Sequence, residues 1–119
     1  MDLSNLHLLS ASEAAQLMRD GVINSEQFVK ACLAQIRAVD DNIQAWAFLD
    51  PGYALTQARA LDQYRLEGKP TGPLHGVPVA IKDIFDTADM PTEYGSPIHA
   101  GRTPSRDATV VALLRSAGA

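Results

Sequence analysis

Apolar residues recur along the first half of this chain at helical spacing, and each such run is introduced by a polar pair. Ser10 and Glu13 stand at the separation of a capping box, in which each side chain satisfies the other's backbone N–H at a helix start. Ala14, Leu17 and Met18 follow on one face and Gly21 stands at the stop, which predicts a helix of about 10 residues. Asn24 with Gln27 repeats the cap. Phe28, Val29, Cys32, Leu33, Ile36 and Val39 then mark the strongest amphipathic helix in the chain. Asp50 before Pro51 predicts a third helix, with the cap ahead of a proline in the first turn, carried by Ala54, Ala58 and Leu61 as far as Gly68. Between the second and third helices, "IQAWAFLD" (Ile43–Asp50) is compact and aromatic and predicts a short strand.

The period changes after Gly68. "EGKPTGPLHG" packs three glycines and two prolines into ten residues and predicts a loop. Val77 to Phe85 then reads as a buried strand, except that its interior holds Lys82. From Asp86 to Ser105 no period is visible, and a connection of about 20 residues inside a compact domain is more often functional than idle. Asp107 is placed to cap a last helix with Val110, Val111, Leu114 and Ala117 on its inner face and Gly118 as its stop. A strand, a connection and a helix make the first half of a parallel βαβ unit, which needs a second strand. The expectation is one domain fragment: residues 1–68 mainly helical, residues 69–119 carrying loop, lysine strand, long loop and helix, with the sequence ending before the next strand.

Composition narrows the class. The chain has 119 residues, 46% hydrophobic and 20% charged, which suits a globular domain. A formal net charge of -4 and the lack of any Lys/Arg block argue against a nucleic-acid partner, because phosphate contacts need clustered cations. Cys32 is the single cysteine, so neither an internal disulfide nor a cysteine metal site is expected, and a cytoplasmic location follows naturally. No run approaches the about 18 apolar residues of a membrane span, and no membrane partner is expected.

Lys82 admits two readings from the residues alone. On an alternating strand it shares a face with Ala80 and Ile84, while Val77, Val79, Ile81, Asp83 and Phe85 take the other. In the first reading it snorkels to water at a strand end and pairs with Asp83 or Asp86. In the second it is a lysine held neutral by burial, able to act as a base.

Three stretches weigh on that choice: "PLHGVPVAIKD", then "TEYGS", then "RDATVVALLRSAGA". Together with "NSEQFVKACLAQI" and "AFLDPGYALTQARALD" upstream, they make the chain resemble the N-terminal segment of the amidase signature family, with "IKDIFDTADMPTEYGS" resembling its malonamidase-like branch. The resemblance implies an α/β/α fold with a mixed central sheet and a Ser–cisSer–Lys hydrolase acting on a small carboxamide. It implies that Lys82 is the base, deprotonating a serine that relays to the nucleophilic serine, with no cofactor. A glutamine-amidotransferase A-type subunit is the close variant. Both serines of that family lie in a Gly/Ser-rich motif that these 119 residues do not contain; Ser96 in "YGSPI" and Ser105 in "TPSRD" lack its surroundings. The chain alone is therefore expected to be inactive and, with its strand unpaired, to self-associate. The competing reading is a non-catalytic binding module.

The remaining chemistry is ordinary. Asp83 is expected to fix hydrogen bonds beside Lys82, and Tyr94, Gly95 and Ser96 to shape a pocket floor. Asp83, Asp86 and Asp89, with His75, Glu93 and His99, form no recognised metal pattern, and no metal is expected. His75 and His99 are read as turn or surface residues, and Cys32 as core.

Overall fold

The computed structural model describes residues 2–119. A 3-10 turn, Leu3–Leu8, leads into four helices: α1 (Ala11–Arg19), α2 (Ser25–Ile43), α3 (Pro51–Leu66) and α4 (Thr109–Ser116). A second short 3-10 turn, Pro97–His99, lies within the long connection between α3 and α4. Among the described residues no helix is long and apolar enough to cross a membrane.

The helix starts are built as their sequences dictate. Ser10 Oγ accepts the Glu13 N–H at 3.3 Å and Glu13 Oε2 accepts the Ser10 N–H at 2.8 Å. Asn24 and Gln27 exchange the same pair of bonds at α2, at 2.8 and 2.9 Å. Helix α2 gains a further partner from outside: the Asp62 carboxylate on α3 accepts the N–H groups of Ser25 and Glu26 at 2.7 and 3.0 Å. Two more otherwise unsatisfied donors of the first turn are thereby filled by a charged acceptor.

Two apolar clusters divide the core along α2. Phe28 joins Ala14, Ala15 and Met18 of α1, with Leu6, Ile23 and Val77 closing around them. On the adjoining face of α2, Val29 and Leu33 pack on Ala58 of α3. Small side chains on α1 and α3 let larger ones of α2 seat closely between them.

The polypeptide around Gly76 is where distant parts meet. Ser25 Oγ donates to the Gly76 carbonyl at 2.7 Å in a buried site. The N–H groups of Leu74 and Gly76 donate to the carbonyls of Ala117 and Gly118, each at 2.9 Å, so the end of α4 lies directly on this turn. His75 is in a turn but not at the surface: it is 5% exposed, stacks on Tyr64 with ring centroids 6.0 Å apart, and its Nε2 bonds the Leu61 carbonyl at 2.9 Å.

Both strand expectations are corrected, and among the described residues no mixed sheet forms. Ile43 belongs to α2, which ends where Gln44 adopts a left-handed φ of 54°. Val77–Phe85 runs irregularly to Lys82 and there closes a turn, with the N–H groups of Ile84 and Phe85 both donating to the Lys82 carbonyl at 2.7 and 3.1 Å. Of the apolar positions only Val77 is buried, while Val79, Ile84 and Phe85 are exposed, and an alternating pattern does not supply the ladder partner that makes a strand. The final helix is corrected as well. It starts at Thr109 with no side-chain cap, because Asp107 turns its Oδ1 to the Ala88 N–H and its Oδ2 to Arg115 Nε, both at 2.8 Å. Val110, expected inside, is 43% exposed, and Val111 holds the buried position alone on this helix.

Gly76 has a φ of +79°, and a Cβ added there would lie 2.7 Å from Met18 Sδ and 3.0 Å from Ser25 Cβ. Left-handed strain and overpacking act together, so Gly76→Ala is expected to destabilise the chain by about 2–4 kcal/mol. Urea unfolding followed by helical circular dichroism checks this as a lowered midpoint.

Candidate active site

Lys82 stands on the wall of an open cleft of about 610 Å³. One side is formed by Ala45–Phe48, the other by Val79–Asp83, and Phe85, Thr87 and Met90–Glu93 complete the lining. The walls are largely apolar, with Trp46, Phe48, Val79, Ile81 and Met90 around the few polar groups of Lys82, Asp83 and Glu93. The side chain of Lys82 is exposed, and so are Ala80 and Ile84, the two residues expected to flank it on a strand. Its ammonium is neither enclosed nor paired among the described residues. Asp86 is taken by Arg102 instead, and Asp83 is taken by backbone, so the pairing expected of Lys82 with either carboxylate does not form.

Asp83 acts on the backbone that carries the lysine. Its Oδ1 accepts the Glu93 N–H at 2.9 Å, and its own carbonyl accepts the Tyr94 N–H at 3.1 Å. Two bonds from one residue thus staple the Lys82 turn to the 93–94 segment. Tyr94 has a φ of 56° and Gly95 one of 65°, a tight reversal that a tyrosine occupies only under constraint. Tyr94 is held by the edge of His99 at 5.1 Å, by the Arg102 guanidinium over its ring at 5.1 Å, and by its hydroxyl donating to Asp86 Oδ1 at 3.3 Å. Ser96 lies one residue further on, at the entry to the second 3-10 turn, and together with Tyr94 and Gly95 it is outside the cleft lining.

Three residues that organise this region were not singled out by sequence. Thr92 is 1% exposed, and its Oγ1 lies 3.3 Å from both the Thr87 N–H and the Phe85 carbonyl, and 3.1 Å from Thr87 Oγ1. Thr87, also buried, donates onward to the Met90 carbonyl at 3.0 Å. Arg102 bonds both oxygens of Asp86, at 3.0 and 3.3 Å, and its presence holds the Asp86 carboxyl below the usual carboxylate range. A buried threonine pair inside an aperiodic loop leaves no mark in a hydropathy pattern. The one available signal was that Thr92 opens the "TEYGS" stretch.

A second polar cluster ties the loop to the helices. Asp89 Oδ2 accepts from Tyr53 Oη and from Arg115 Nη2, both at 2.8 Å. Burial pushes the Asp89 carboxyl up, but these two partners outweigh it and leave it lowered. Tyr53 in turn is raised, first by that hydrogen bond. The three aspartates Asp83, Asp86 and Asp89 therefore face three different partners, and among the described residues no three potential ligands converge as a metal site would need. Cys32 sits half-buried on α2, where burial raises its thiol.

A profile of the family named Amidase matches residues 27–119, the span that contains this cleft. The chain belongs to the amidase family. Among its curated relatives, the glutamyl-tRNA(Gln) amidotransferase A-type subunit of Salinispora arenicola is 45% identical over 116 residues, covering 98% of this chain and 24% of the relative. Its counterpart in Chloroflexus aurantiacus is 42% identical over 117 residues, again covering 98% of this chain and 24% of the relative. The native peptide amidase from Stenotrophomonas maltophilia superposes with a TM-score of 0.87 at 33% identity, covering 97% of this chain and 24% of that one. The solved neighbours are amidase-family α/β folds, and this chain spans about a quarter of the length of the curated relatives it matches.

The Thr87–Thr92 pair is the buried link of the loop. Thr92→Val keeps the shape but leaves the Thr87 N–H without its acceptor, so a loss of about 1–3 kcal/mol is expected. Thermal unfolding of the two proteins, compared by circular dichroism, measures it; an unchanged transition would mean the pair is not a structural link.

Proposed function

We propose that this chain supplies the base-bearing part of an amidase that hydrolyses the C–N bond of a small carboxamide. The observation that carries the reading is the position of Lys82: within the amidase match, on a largely apolar cleft wall, and without a counter-ion among the described residues. A paired carboxylate would favour the protonated state and oppose action as a base, and Lys82 has none among the described residues. In the Ser–cisSer–Lys scheme, neutral Lys82 takes the proton of a serine hydroxyl, and that serine takes the proton of the nucleophilic serine. The nucleophile adds to the amide carbonyl. Collapse of the tetrahedral oxyanion breaks the C–N bond, the leaving amine takes a proton, and water then hydrolyses the acyl-enzyme. These 119 residues hold no Gly/Ser-rich motif for the two serines, and the proposal assigns them to the part of the relatives' length that the chain does not span. The irregular segments 46–48 and 79–81, which line the cleft and make no backbone hydrogen bond among the described residues, support a place for them in the mixed central sheet of an α/β/α fold. Asp83 is assigned the task of holding the Lys82 turn, and Tyr94, Gly95 and Ser96 that of shaping the chain behind it. The names of the curated relatives support the variant in which the amidase serves within an amidotransferase, releasing ammonia from an amide.

In the protein of amidase length, Lys82→Arg is expected to be nearly as damaging as Lys82→Ala, because guanidinium keeps the charge but does not deprotonate. The loss falls on kcat, by about 10²–10⁴-fold for a positioned base. A base acts only when deprotonated, so wild-type kcat rises with pH along an ionisation that both variants lose. The measurement is kcat against pH for the three proteins, each checked for folding by circular dichroism. A folded Lys82→Arg enzyme that keeps most of its kcat would make Lys82 a structural cation.

A second reading has its own observation. Phe85 is 41% exposed and Leu113 64% exposed, and Val79, Ile84 and Val110 are exposed with them, apolar side chains that association would cover. The 119-residue chain alone is expected to hydrolyse no amide and to self-associate through these residues. Sedimentation velocity that shows a monomer across a hundredfold concentration range would remove the self-associating module, and turnover by the purified chain would remove the need for the missing serines.

A further inference from the structure

We propose that Arg102 is a positioning residue for Lys82, aiming the lysine through the backbone of the loop and touching neither lysine nor substrate. The inference rests on the amidase reading and adds to it a residue that the reading does not contain.

The starting point is that Lys82 has no side-chain partner among the described residues, so its direction is set by its backbone. That backbone is held at two carbonyls. The Lys82 carbonyl receives Phe85 N–H at 3.1 Å, and the Asp83 carbonyl receives Tyr94 N–H at 3.1 Å. Each hold leads back to Arg102. On the first route, the Phe85 carbonyl is bonded by Thr92 Oγ1 at 3.3 Å, and Thr92 is bonded to Arg102 on both sides of its peptide. Its N–H donates to the Arg102 carbonyl at 2.8 Å, and its carbonyl accepts from Arg102 Nη1 at 3.2 Å. On the second route, the guanidinium lies over the Tyr94 ring and shares Asp86 with the Tyr94 hydroxyl, keeping Tyr94 in its left-handed conformation with its N–H directed at Asp83. Asp86 closes the circuit, since its backbone carbonyl also accepts the N–H of Ala108 immediately before α4, at 2.8 Å.

Magnitude separates positioning from stability. The Asp86 and Arg102 side chains are 37% and 35% exposed, and an ion pair so open to water contributes little to folding. What the pair supplies is direction. A planar fork with several donors reaches both carboxylate oxygens and the Thr92 carbonyl at once, a set of contacts that a lysine ammonium on a flexible stem does not reproduce. Loss of the guanidinium removes its bonds to the Thr92 carbonyl and Asp86 and its contact with Tyr94, leaves the Thr92 N–H bonded to the carbonyl of residue 102, and so loosens the turn while the helical core stays intact.

The test uses the protein of amidase length, with Arg102→Ala, Arg102→Lys and the milder Asp86→Asn made beside Lys82→Ala. A displacement of about 1 Å at a reacting group costs on the order of 10²-fold, so Arg102→Ala is expected to lower kcat about 10–100-fold with KM within about twofold of wild type. Arg102→Lys recovers only a small part of the loss, and Asp86→Asn changes kcat in the same direction. Hydrogen exchange at the Phe85 and Tyr94 amides accelerates about tenfold or more in these variants, while exchange in α2 is unchanged. A folded Arg102→Ala or Asp86→Asn enzyme with wild-type kcat overturns the inference, as does a kcat loss with exchange at Phe85 and Tyr94 unaltered. If Lys82→Ala retains turnover, the amidase reading itself fails and the inference falls with it. If Lys82→Ala abolishes turnover and the Arg102 variants do not lower kcat, only the positioning role is lost.

Discussion

The buried bond from Ser25 Oγ to the Gly76 carbonyl is the constraint on which the other placements depend. It joins the start of the longest helix to the turn that precedes Lys82, and it is possible only because residue 76 has no side chain to hold Met18 and Ser25 away. From that point α3 is fixed through His75 and Leu61, and α4 through Ala117 and Gly118. A buried carbonyl with a hydroxyl donor is satisfied at a modest net gain, but the same carbonyl without one would carry its whole desolvation cost. The crossing is therefore specific as well as stabilising, since few arrangements satisfy all its groups at once.

Beyond the crossing the means of organisation changes. Residues 82–108 contain no helix longer than one 3-10 turn, and the chain there is held by side chains bonding to backbone. Thr87, Thr92, Asp83 and Asp107 each take the place that a helix ladder or sheet neighbour would fill elsewhere. A loop built this way can place one residue accurately without burying it, which suits a lysine on a cleft wall.

The helices were legible because their signals are local. Ser10, Asn24 and Asp50 act within three residues of themselves, and the apolar faces of α1 and α2 follow from spacing alone. The strand does not form for the opposite reason: alternation from Val77 to Phe85 is a property of that stretch alone, whereas a ladder depends on another stretch of backbone. Asp107 failed as a cap because Ala88 and Arg115, both distant in sequence, compete for its carboxylate. At the site, Lys82 could be singled out as a charge amid apolar neighbours, and Asp83 as its adjacent hydrogen-bonding residue. Arg102 could not, since a solitary arginine in an aperiodic stretch is indistinguishable from any solvated one until Asp86, Thr92 and Tyr94 are seen around it.

The crossing at Gly76 also bears on the order in which the molecule assembles. Its contacts join residue 25 to residue 76 and residue 76 to residue 118, whereas the capping bonds of Ser10, Asn24 and Asp50 span three residues each. Closing long loops must be compensated before their contacts return anything, and chains rich in distant contacts fold more slowly than helical ones. On that ground the three N-terminal helices are expected to form before the crossing closes. The turn before Lys82 is complete only when the tail of α4 lies over residues 74–76, so the expected order sets the surroundings of Lys82 after the helices.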